Sequence, residues 1–286
     1  MKVLITGAGG QLGRAILAAA PAGWTVTGLT RAELDLGDRT AVAETVRGHG
    51  PDLIFNAAAY TAVDRAESEP DLAFRINRDG AGHLAAAAQA VGARLVHIST
   101  DFVFDGRASR PYRPDDETGA LNVYGASKLA GEQAVVQRAA DALIVRTAWV
   151  YGPGPGNFLA TMLRLMASRP EVGVVADQIG TPTSTLTLAR ALWALAAAEA
   201  RGVLHYTDAG VASWYDFAAA IAEEAVQAGR LEHAPPVKPI ATADYPTPAL
   251  RPAFSVLDKS ATFALLGEPP LHWRAALRAV LAKMRP

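Results

Sequence analysis

Tyr124 and Lys128 are the two side chains of this sequence whose spacing best suits acid–base chemistry. If they lie at the start of a helix, residues four apart share one face, so the phenol and the ammonium group are neighbours. Free tyrosine has a pKa of about 10, too high for efficient proton exchange at neutral pH. A nearby positive charge lowers that pKa, and the pair therefore predicts Tyr124 as a general acid or base.

Two hydroxyls and a carboxyl, Ser99, Thr100 and Asp101, come directly after a short β-branched run. In an open α/β sheet, residues at the carboxyl ends of strands face the ligand crevice. A hydroxyl at this place could hydrogen-bond a carbonyl oxygen that gains negative charge during a reaction. The alternative is a turn in which these side chains cap their own backbone.

A glycine-rich segment, residues 6–13, lies where the first predicted strand ends and the first helix begins. Gly7 can form the tight turn, Gly10 lets a pyrophosphate approach the backbone, and Gly13 lets the helix pack closely on the strand. The helix N-terminus offers free N–H groups to anionic oxygens. In this strand–turn–helix context the segment predicts a dinucleotide-binding loop, the alternative being a glycine-rich turn without a ligand.

The end of the second predicted strand indicates which dinucleotide is bound. An acidic residue usually stands there to bind the adenosine ribose, but this chain has Arg31. A guanidinium can bind a 2′-phosphate, which favours NADPH, with NADH still possible. The alternative is an exposed surface arginine. Asp35 and Leu36 are expected in the next loop, near the adenine.

Short β-branched runs alternate with longer segments of helical period, which predicts an α/β fold: a Rossmann-like, doubly wound parallel sheet. The predicted strands are 2–6, 24–30, 52–56, 94–99 and 143–149, and the predicted helices are 11–20, 39–47, 71–91 and 124–137.

This alternation of strands and helices becomes less regular after Tyr151, at the glycine- and proline-rich residues 152–156. We predict an NAD(P)-binding domain over 1–151, to which about 185–206 returns, and a smaller α/β substrate-binding domain over 152–286. Its predicted helices are 158–167, 187–199, 214–228 and 273–283, its predicted strands are 172–175 and 203–206, and 235–252 is a long ordered excursion.

The composition excludes several classes of protein. Half of the 286 residues are hydrophobic and 19% are charged, which supports a large core and excludes a mainly disordered chain. The formal net charge of −1 gives no basic footprint for nucleic acid or anionic lipid. There is no cysteine, and no apolar run suits a signal peptide or a membrane span. A cytoplasmic protein without nucleic-acid or membrane partners is expected.

Several blocks together make the chain resemble the dTDP-4-dehydrorhamnose reductase family of extended short-chain dehydrogenases/reductases. They cover nearly the whole sequence, from the first strand to the proline-rich segment. Besides the glycine loop, the resembling blocks are 56–67, 99–106, 121–125, 146–151, 177–183, 213–218 and 245–248.

The resemblance implies reduction by NAD(P)H of the C4 ketone of dTDP-4-dehydro-6-deoxy-L-mannose to dTDP-L-rhamnose. It implies that Tyr124 gives the proton to the ketone oxygen and that Thr100, or Ser99 beside it, orients this oxygen. Lys128 would hold the nicotinamide ribose. The cofactor would be bound by residues of the glycine loop, of the end of the second predicted strand and the loop after it, and of the segment after the third strand, together with the Tyr/Lys pair. These residues are Gly7, Gly10, Gln11, Leu12, Gly13, Arg31, Asp35, Leu36, Ala57, Ala58, Ala59, Tyr60, Thr61, Tyr124 and Lys128.

The nucleotide-sugar substrate would be contacted by Thr100, Asp101, Trp149 and Arg251. Trp149 would cover the sugar ring, unless it is a core residue. Arg251 would bind the diphosphate through a bidentate contact, unless it is an exposed loop residue. Trp214 and the aromatic residues that follow it are expected to be packing residues.

The sequence departs from the family pattern at a few positions. Phe102 replaces a usual tyrosine, Pro114 replaces a frequent acidic residue, and Leu250 stands where a second arginine is usual. Some relatives are described as using Mg²⁺ through glutamates, one of them early in the first helix. Because Arg14 begins that part of the helix here, no metal site is predicted.

Three other functions share parts of this pattern. A 4,6-dehydratase needs Asp-Glu after the strand threonine, and Asp101-Phe102 lacks the glutamate. Another nucleotide-sugar reductase or a C4 epimerase would use nearly the same core residues. A non-catalytic NADP-binding regulatory subunit would not need the acid–base pair. A homodimer is a possible assembly.

Overall fold

A computed structural model describes residues 1–267 and 269–284. Its strands are β1 Lys2–Thr6, β2 Thr25–Leu29, β3 Leu53–Asn56, β4 Arg94–Thr100, β5 Leu143–Thr147, β6 Val150–Tyr151, β7 Val172–Val175, β8 Ile179–Gly180, β9 Thr183–Ser184, β10 Gly202–His205, β11 Ala212–Ser213 and β12 Val237–Ile240. Its α-helices are α1 Gln11–Ala18, α2 Arg39–His49, α3 Val63–Ala66, α4 Pro70–Phe74, α5 Ala81–Val91, α6 Val123–Arg138, α7 Phe158–Met166, α8 Thr185–Ala197, α9 Trp214–Gln227, α10 Ser260–Leu266 and α11 Trp273–Lys283.

Six strands form one parallel sheet in the order β10-β5-β4-β3-β1-β2. Alternate residues point to opposite faces of a strand, so Val3 and Ile5 enter one core while Leu4 enters the other. Helices α1 and α8 cover the first face, and α2, α5 and α6 cover the second. The predicted doubly wound α/β fold is confirmed.

The strand order places the ligand crevice between β1 and β3. From β1 the chain moves outward to β2, and it then returns to the other side of β1 to form β3. At such a switch point the loops after the two central strands diverge and leave a cleft at the carboxyl end of the sheet. The glycine loop follows β1, and the Ala57–Thr61 segment follows β3.

A second cluster of apolar residues lies beyond the main sheet and is formed by α7, α9, α11 and the parallel pair β7–β12. Strand β10 pairs with β5 in the main sheet, and α8 packs against α1. Residues 185–205 thus contribute a helix and a strand to the main sheet and its covering layer, and the predicted division of the chain into two domains stays a prediction.

Some elements differ from the sequence-based prediction. The helix expected over 71–91 is broken by a π-helical turn, Arg75–Gly80. The strand expected over 143–149 ends at Thr147, because Trp149 has φ +48°, which extended backbone does not allow. The short helices α3 and α10 were not predicted. The 235–252 excursion contains β12, whose Pro239 is tolerated in a two-stranded sheet where every strand is an edge.

Candidate active site

Two neighbouring cavities, of about 360 and 380 Å³, open at the carboxyl end of the sheet. They share a wall made of Gly10, the Ala57–Ala59 segment and Thr61. The first is lined further by the predicted residues Gln11, Leu12, Thr100, Asp101, Tyr124, Lys128 and Trp149. The second is lined further by the predicted residues Gly7, Arg31, Asp35, Leu36 and Tyr60.

The glycine loop has the shape of an anion cradle. Gly7 has φ +73°, in the left-handed region that favours glycine, and the Gly10 N–H donates to the Gly7 carbonyl at 2.9 Å. A Cβ on Gly13 would lie 2.2 Å from the Gly7 oxygen, so only glycine lets α1 pack this close. Gly10 is the N-cap of α1 and brings no side chain of its own to the cap. The cradle therefore fits the pyrophosphate of a dinucleotide.

The opposite wall of the cleft is held by Asn77, which sequence reasoning missed. The buried Asn77 amide accepts from the Tyr60 N–H at 2.8 Å and donates to the Tyr60 carbonyl at 3.0 Å. It also donates to the Ser127 hydroxyl at 2.9 Å, on the helix that carries Tyr124. One side chain thus fixes the cavity wall at Tyr60 relative to the helix that carries Tyr124. An asparagine inside an apolar helical repeat was the available signal.

The adenosine end of the second cavity carries balanced charges. The Asp35 carboxylate accepts from the Gly37 N–H at 2.9 Å and from the Arg75 guanidinium at 3.1 Å. The Gly37 hydrogen bond is the main reason that the pKa of Asp35 lies below its usual value. Arg31 is exposed on the same rim, where a 2′-phosphate can approach it.

Thr100, Tyr124 and Lys128 line the same cavity, as the sequence predicted. Thr100 ends β4, and the other two lie in the first turns of α6, which Asn122 caps by accepting from the Gly125 N–H at 2.8 Å. Lys128 is only 2% exposed, and its Nζ donates to the Ile98 carbonyl at 2.7 Å. The Thr100 hydroxyl donates to Asp101 at 3.0 Å.

The close packing of α6 on the segment after β4 depends on a glycine and on one aromatic contact. A Cβ on Gly125 would lie 2.2 Å from the Phe102 carbonyl oxygen, so glycine lets the helix close onto the strand end. The ring of Phe102 meets Tyr124 edge to face, with 5.7 Å between ring centroids. The phenylalanine that replaces the usual family tyrosine therefore still orients the Tyr124 ring.

Burial dominates the electrostatics of this cluster. It raises the pKa of Tyr124 to about 12; hydrogen bonding by Thr100 opposes the shift, and the Asp101 charge adds to it. Burial also lowers the pKa of Lys128 to about 8 and raises that of Asp101 to about 6. The protein's own groups therefore do not lower the pKa of Tyr124 as expected from the sequence. Such displaced pKa values are typical of functional sites.

A buried ion pair joins α6 to β5. The Arg146 guanidinium on β5 binds the Glu132 carboxylate on α6 with two hydrogen bonds, of 2.9 and 2.7 Å. Arg146 also donates to the Pro114 carbonyl at 3.1 Å. Because both partners are buried, removing one would leave an unpaired charge in the core, which is strongly destabilising.

Trp149 forms the far wall of the first cavity. Its indole is stacked on that of Trp214, with 3.5 Å between ring centroids and 4° between the planes. Gly180 lies against the ring, since a Cβ there would be 2.6 Å from the Trp149 Cε2. Trp214 therefore contacts a residue of the cavity wall, whereas Phe217 is fully buried packing, as expected.

Arg251 is engaged by another side chain. Its two terminal nitrogens donate to the Asp64 carboxylate at 3.0 and 2.8 Å. No pattern in the sequence indicates this pair, since its members are 187 residues apart. Its predicted role at the diphosphate stays a prediction.

The residues 152–156 are tied to the glycine-loop helix. Asn157 donates from its amide to Gln11 at 2.7 Å and to the Gly154 carbonyl at 2.8 Å. Gln11 in turn donates to the Gly156 carbonyl at 3.4 Å. Gln11 is thus both a cavity residue and an anchor for this segment.

Within residues 1–267 and 269–284, no group of three or more His, Asp or Glu side chains is arranged to hold a metal ion. Over the same residues, no helix has both the length and the apolar character needed to span a bilayer.

The whole chain is similar to proteins of one family. A family model described as RmlD substrate binding domain matches residues 1–285. A dTDP-4-dehydrorhamnose reductase of Mycobacterium tuberculosis is 48% identical over 289 residues, which cover 98% of this chain and 92% of that protein. Two solved dTDP-4-dehydrorhamnose reductase structures, from Clostridium acetobutylicum and, in complex with NADP, from Bacillus anthracis, each give a TM-score of 0.92. They are 40% and 37% identical to this chain, and each match covers 98% of both chains.

Proposed function

This chain belongs to the dTDP-4-dehydrorhamnose reductase family, and on that premise we propose that it reduces the C4 ketone of dTDP-4-dehydrorhamnose with NADPH. The product would be dTDP-L-rhamnose. A homodimer and a cytoplasmic location stay predictions from the sequence. The observation that carries the proposal is that Thr100, Tyr124 and Lys128 line one cavity next to the glycine cradle.

The residues of the cleft fit the cofactor. The cradle formed by Gly7, Gly10 and Gly13 would hold the pyrophosphate, and Arg31 would bind the 2′-phosphate. The Ala57–Thr61 segment would line the path from adenosine to nicotinamide. When bound, the reduced nicotinamide supplies the hydride for C4 of the sugar.

Tyr124 is suited to donate the matching proton. With its pKa raised to about 12, the phenol stays protonated at neutral pH. As the carbonyl carbon accepts hydride, its oxygen becomes an alkoxide, a stronger base than phenolate. The phenolic proton can therefore pass to that oxygen, which gives the neutral alcohol and leaves Tyr124 as the phenolate. For reduction of the ketone, Tyr124 only has to donate a proton, so its pKa does not have to be lowered.

Thr100 and Lys128 would assist the transfer. The Thr100 hydroxyl can turn from Asp101 to the substrate oxygen and stabilise its growing negative charge. Lys128 lines the same cavity as Tyr124, and its ammonium group can stabilise the phenolate that forms. Its contact with the Ile98 carbonyl fixes the side chain, leaving other N–H donors for the cofactor ribose.

Asp101, Trp149 and Arg251 would bind the substrate. The buried Asp101 can accept hydrogen bonds from sugar hydroxyls, and the Trp149 indole offers an apolar face to the ring. Arg251 would contact the diphosphate at the mouth of the site.

The test is a spectrophotometric assay of NADPH oxidation with the dTDP-4-keto sugar. We expect Tyr124→Phe to lower kcat by about a thousandfold, the typical contribution of a positioned general acid. NADPH should still bind, which fluorescence of the nicotinamide can measure.

Tyr112→Phe is the matched control. It removes another buried phenol, one that donates to Asp105 at 2.7 Å outside both cavities. It should change kcat little. If Tyr124→Phe and the wild-type protein had equal kcat, Tyr124 would have no part in the mechanism. An inactive wild-type protein would contradict the proposed reaction.

A further inference from the structure

The segment 245–252, hereafter the strap, follows β12 in the chain and passes the N-terminus of α6, the helix that carries Tyr124. Its exposure alternates sharply, since Ala249 is 1% exposed and Leu250 is 68% exposed. An irregular segment of this kind has no ladder of sheet hydrogen bonds, so its position depends on a few side-chain contacts.

The Asp64 carboxylate accepts three hydrogen bonds from the strap. Two come from Arg251, at 3.0 and 2.8 Å, and the third comes from the Ala249 N–H at 3.3 Å. Arg251 also donates from Nη1 to the Thr247 hydroxyl at 2.5 Å and to the Ala249 carbonyl at 3.1 Å. The pair therefore orders the strap internally as well as tying it to Asp64.

The strap is also joined to the catalytic helix. The side-chain amide of Asn122, the N-cap of α6, donates to the Leu250 carbonyl at 2.7 Å. On the other side, Pro252 lies against Gly106, where a Cβ would be 2.6 Å from the proline Cβ. Asp64 follows the Ala57–Thr61 cofactor segment in the chain, so the strap connects the cofactor wall with the helix that carries Tyr124.

The geometry of the ion pair leaves part of Arg251 available. Asp64 binds the guanidinium end-on, through Nη1 and Nη2. A guanidinium has five N–H donors in a rigid plane, and an end-on pair leaves its Nε edge facing away from the carboxylate. Arg251 can thus keep its bond to Asp64 while a second oxyanion binds the other edge.

We propose that Asp64 is a positioning residue: it holds Arg251 and the strap so that the free guanidinium edge meets the diphosphate of the nucleotide sugar. This inference rests on the proposed function, because the diphosphate belongs to the proposed substrate. Asp64 lines neither cavity, so it would act through Arg251. A fixed arginine binds an oxyanion better than a mobile one, since less side-chain freedom is lost on binding.

The first experiment measures equilibrium binding of dTDP by calorimetry in the presence of NADP⁺, so that it does not depend on turnover. Asp64→Asn should weaken dTDP binding about tenfold, the loss expected for one charge-assisted hydrogen bond. Arg251→Lys should weaken dTDP binding to a similar degree. An ammonium group lacks the rigid plane with which a guanidinium can bind two oxyanions along separate edges. Asp64→Glu should restore part of the affinity.

Asp141→Asn is the matched control. Asp141 forms an exposed ion pair with Arg201 at 3.1 Å, at the opposite end of the sheet. This variant should bind dTDP like the wild-type protein. Equal dTDP affinity in the wild-type protein and Asp64→Asn would overturn the positioning role, whether or not the wild-type protein reduces the sugar.

The second experiment separates positioning from general damage to the fold. In steady-state assays, Asp64→Asn should raise KM for the nucleotide sugar about tenfold and change kcat and the Kd of NADPH little. If kcat and NADPH affinity fall while KM rises, the pair has a general structural role and the proposal is wrong. An inactive wild-type protein with normal dTDP binding would instead contradict the proposed reaction alone.

Discussion

The wall of the site that faces the predicted cofactor is made largely of backbone, whereas the wall that faces the predicted sugar is made of side chains. On the cofactor side, Gly13 brings α1 onto the Gly7 carbonyl, and a Cβ would meet main-chain atoms. On the sugar side, Trp149 is held by stacking on Trp214 and by contact with Gly180. The first wall can change only if the chain moves, but the second can change by a rotation of side chains.

This difference has a chemical meaning. A pyrophosphate is bound by N–H groups at a helix N-terminus, so its site is the same for any protein that uses the group. A sugar presents a particular set of hydroxyls and apolar faces, and its site must be specified residue by residue. The two walls should therefore respond differently to the same small change, an added methyl group.

The largest effect is expected for Gly13→Ala. The new Cβ would lie 2.2 Å from the Gly7 oxygen, so the loop or the helix must shift. We expect NADPH to bind about a hundredfold more weakly, as about 3 kcal/mol of overpacking strain would give. Fluorescence titration measures this. Gly48→Ala in α2, where a Cβ meets nothing within 4 Å, is the control and should bind NADPH normally.

Asp101 lines the first cavity, and Asp101→Asn tests how the burial of its carboxyl changes the pH dependence of the unfolding free energy. Burial raises the folded-state pKa of Asp101 to about 6, above the ordinary value of 3.8, so the folded protein disfavours the charged form. This penalty is absent below about pH 4 and grows until the pH passes the folded pKa. From pH 4 to pH 7 the variant should therefore gain up to about 3 kcal/mol in unfolding free energy over the wild-type protein.

Asp116→Asn should give the opposite trend. Arg110 holds the pKa of Asp116 well below its usual value, so that carboxylate stabilises the fold above the ordinary pKa and loses this effect in acid. Denaturant unfolding at several pH values measures both trends. Parallel pH profiles for wild-type protein and Asp101→Asn would show that burial does not control this carboxyl.

A smaller effect is expected for Gly180→Ala on the sugar side. Its Cβ would meet the Trp149 ring at 2.6 Å, and the ring can move at the cost of its stacking on Trp214. KM for the nucleotide sugar should rise about tenfold, while the Kd of NADPH stays unchanged. Gly173→Ala, with an ordinary 3.4 Å contact, is the control. If NADPH binding weakened as much as KM rose, the two walls would not be independent.

The smallest effect is expected for Arg31→Ala. An exposed guanidinium contributes about 1 kcal/mol to binding a phosphate, so the preference for NADPH over NADH in kcat/KM should fall about fivefold. Arg47→Ala, an exposed arginine in the last turn of α2, should leave this ratio unchanged. The same ratio in both variants would mean that Arg31 does not select the cofactor.

The sequence predicted those parts of the site that depend on local spacing. The strand–glycine–helix unit and the four-residue step from Tyr124 to Lys128 both lie within one short element, and the structure brings them to adjoining cavities. The alternation of strands and helices was enough to predict the doubly wound sheet, because central strands such as β3 are apolar and buried on both faces.

What the sequence could not predict depends on contacts between distant segments. The pairing of Asp64 with Arg251 and the three hydrogen bonds of Asn77 become visible only when the chain is folded. The raised pKa of Tyr124 could not be predicted either, because spacing shows that Lys128 is four residues away but not that the phenol is buried. The lowering expected from a bound nicotinamide stays a prediction. A propensity pattern likewise cannot show the π-helical turn that places Asn77.

The anchoring of residues 152–156 also bears on protein engineering. A stretch rich in glycine and proline is where one would first insert a tag or a second domain, since such stretches are usually exposed and tolerant. Here Asn157 and Gln11 bind its carbonyls and each other. A longer stretch would pull directly on the helix below the pyrophosphate cradle. The turn at Gly23, where a Cβ would meet open space, is the better place for an insertion.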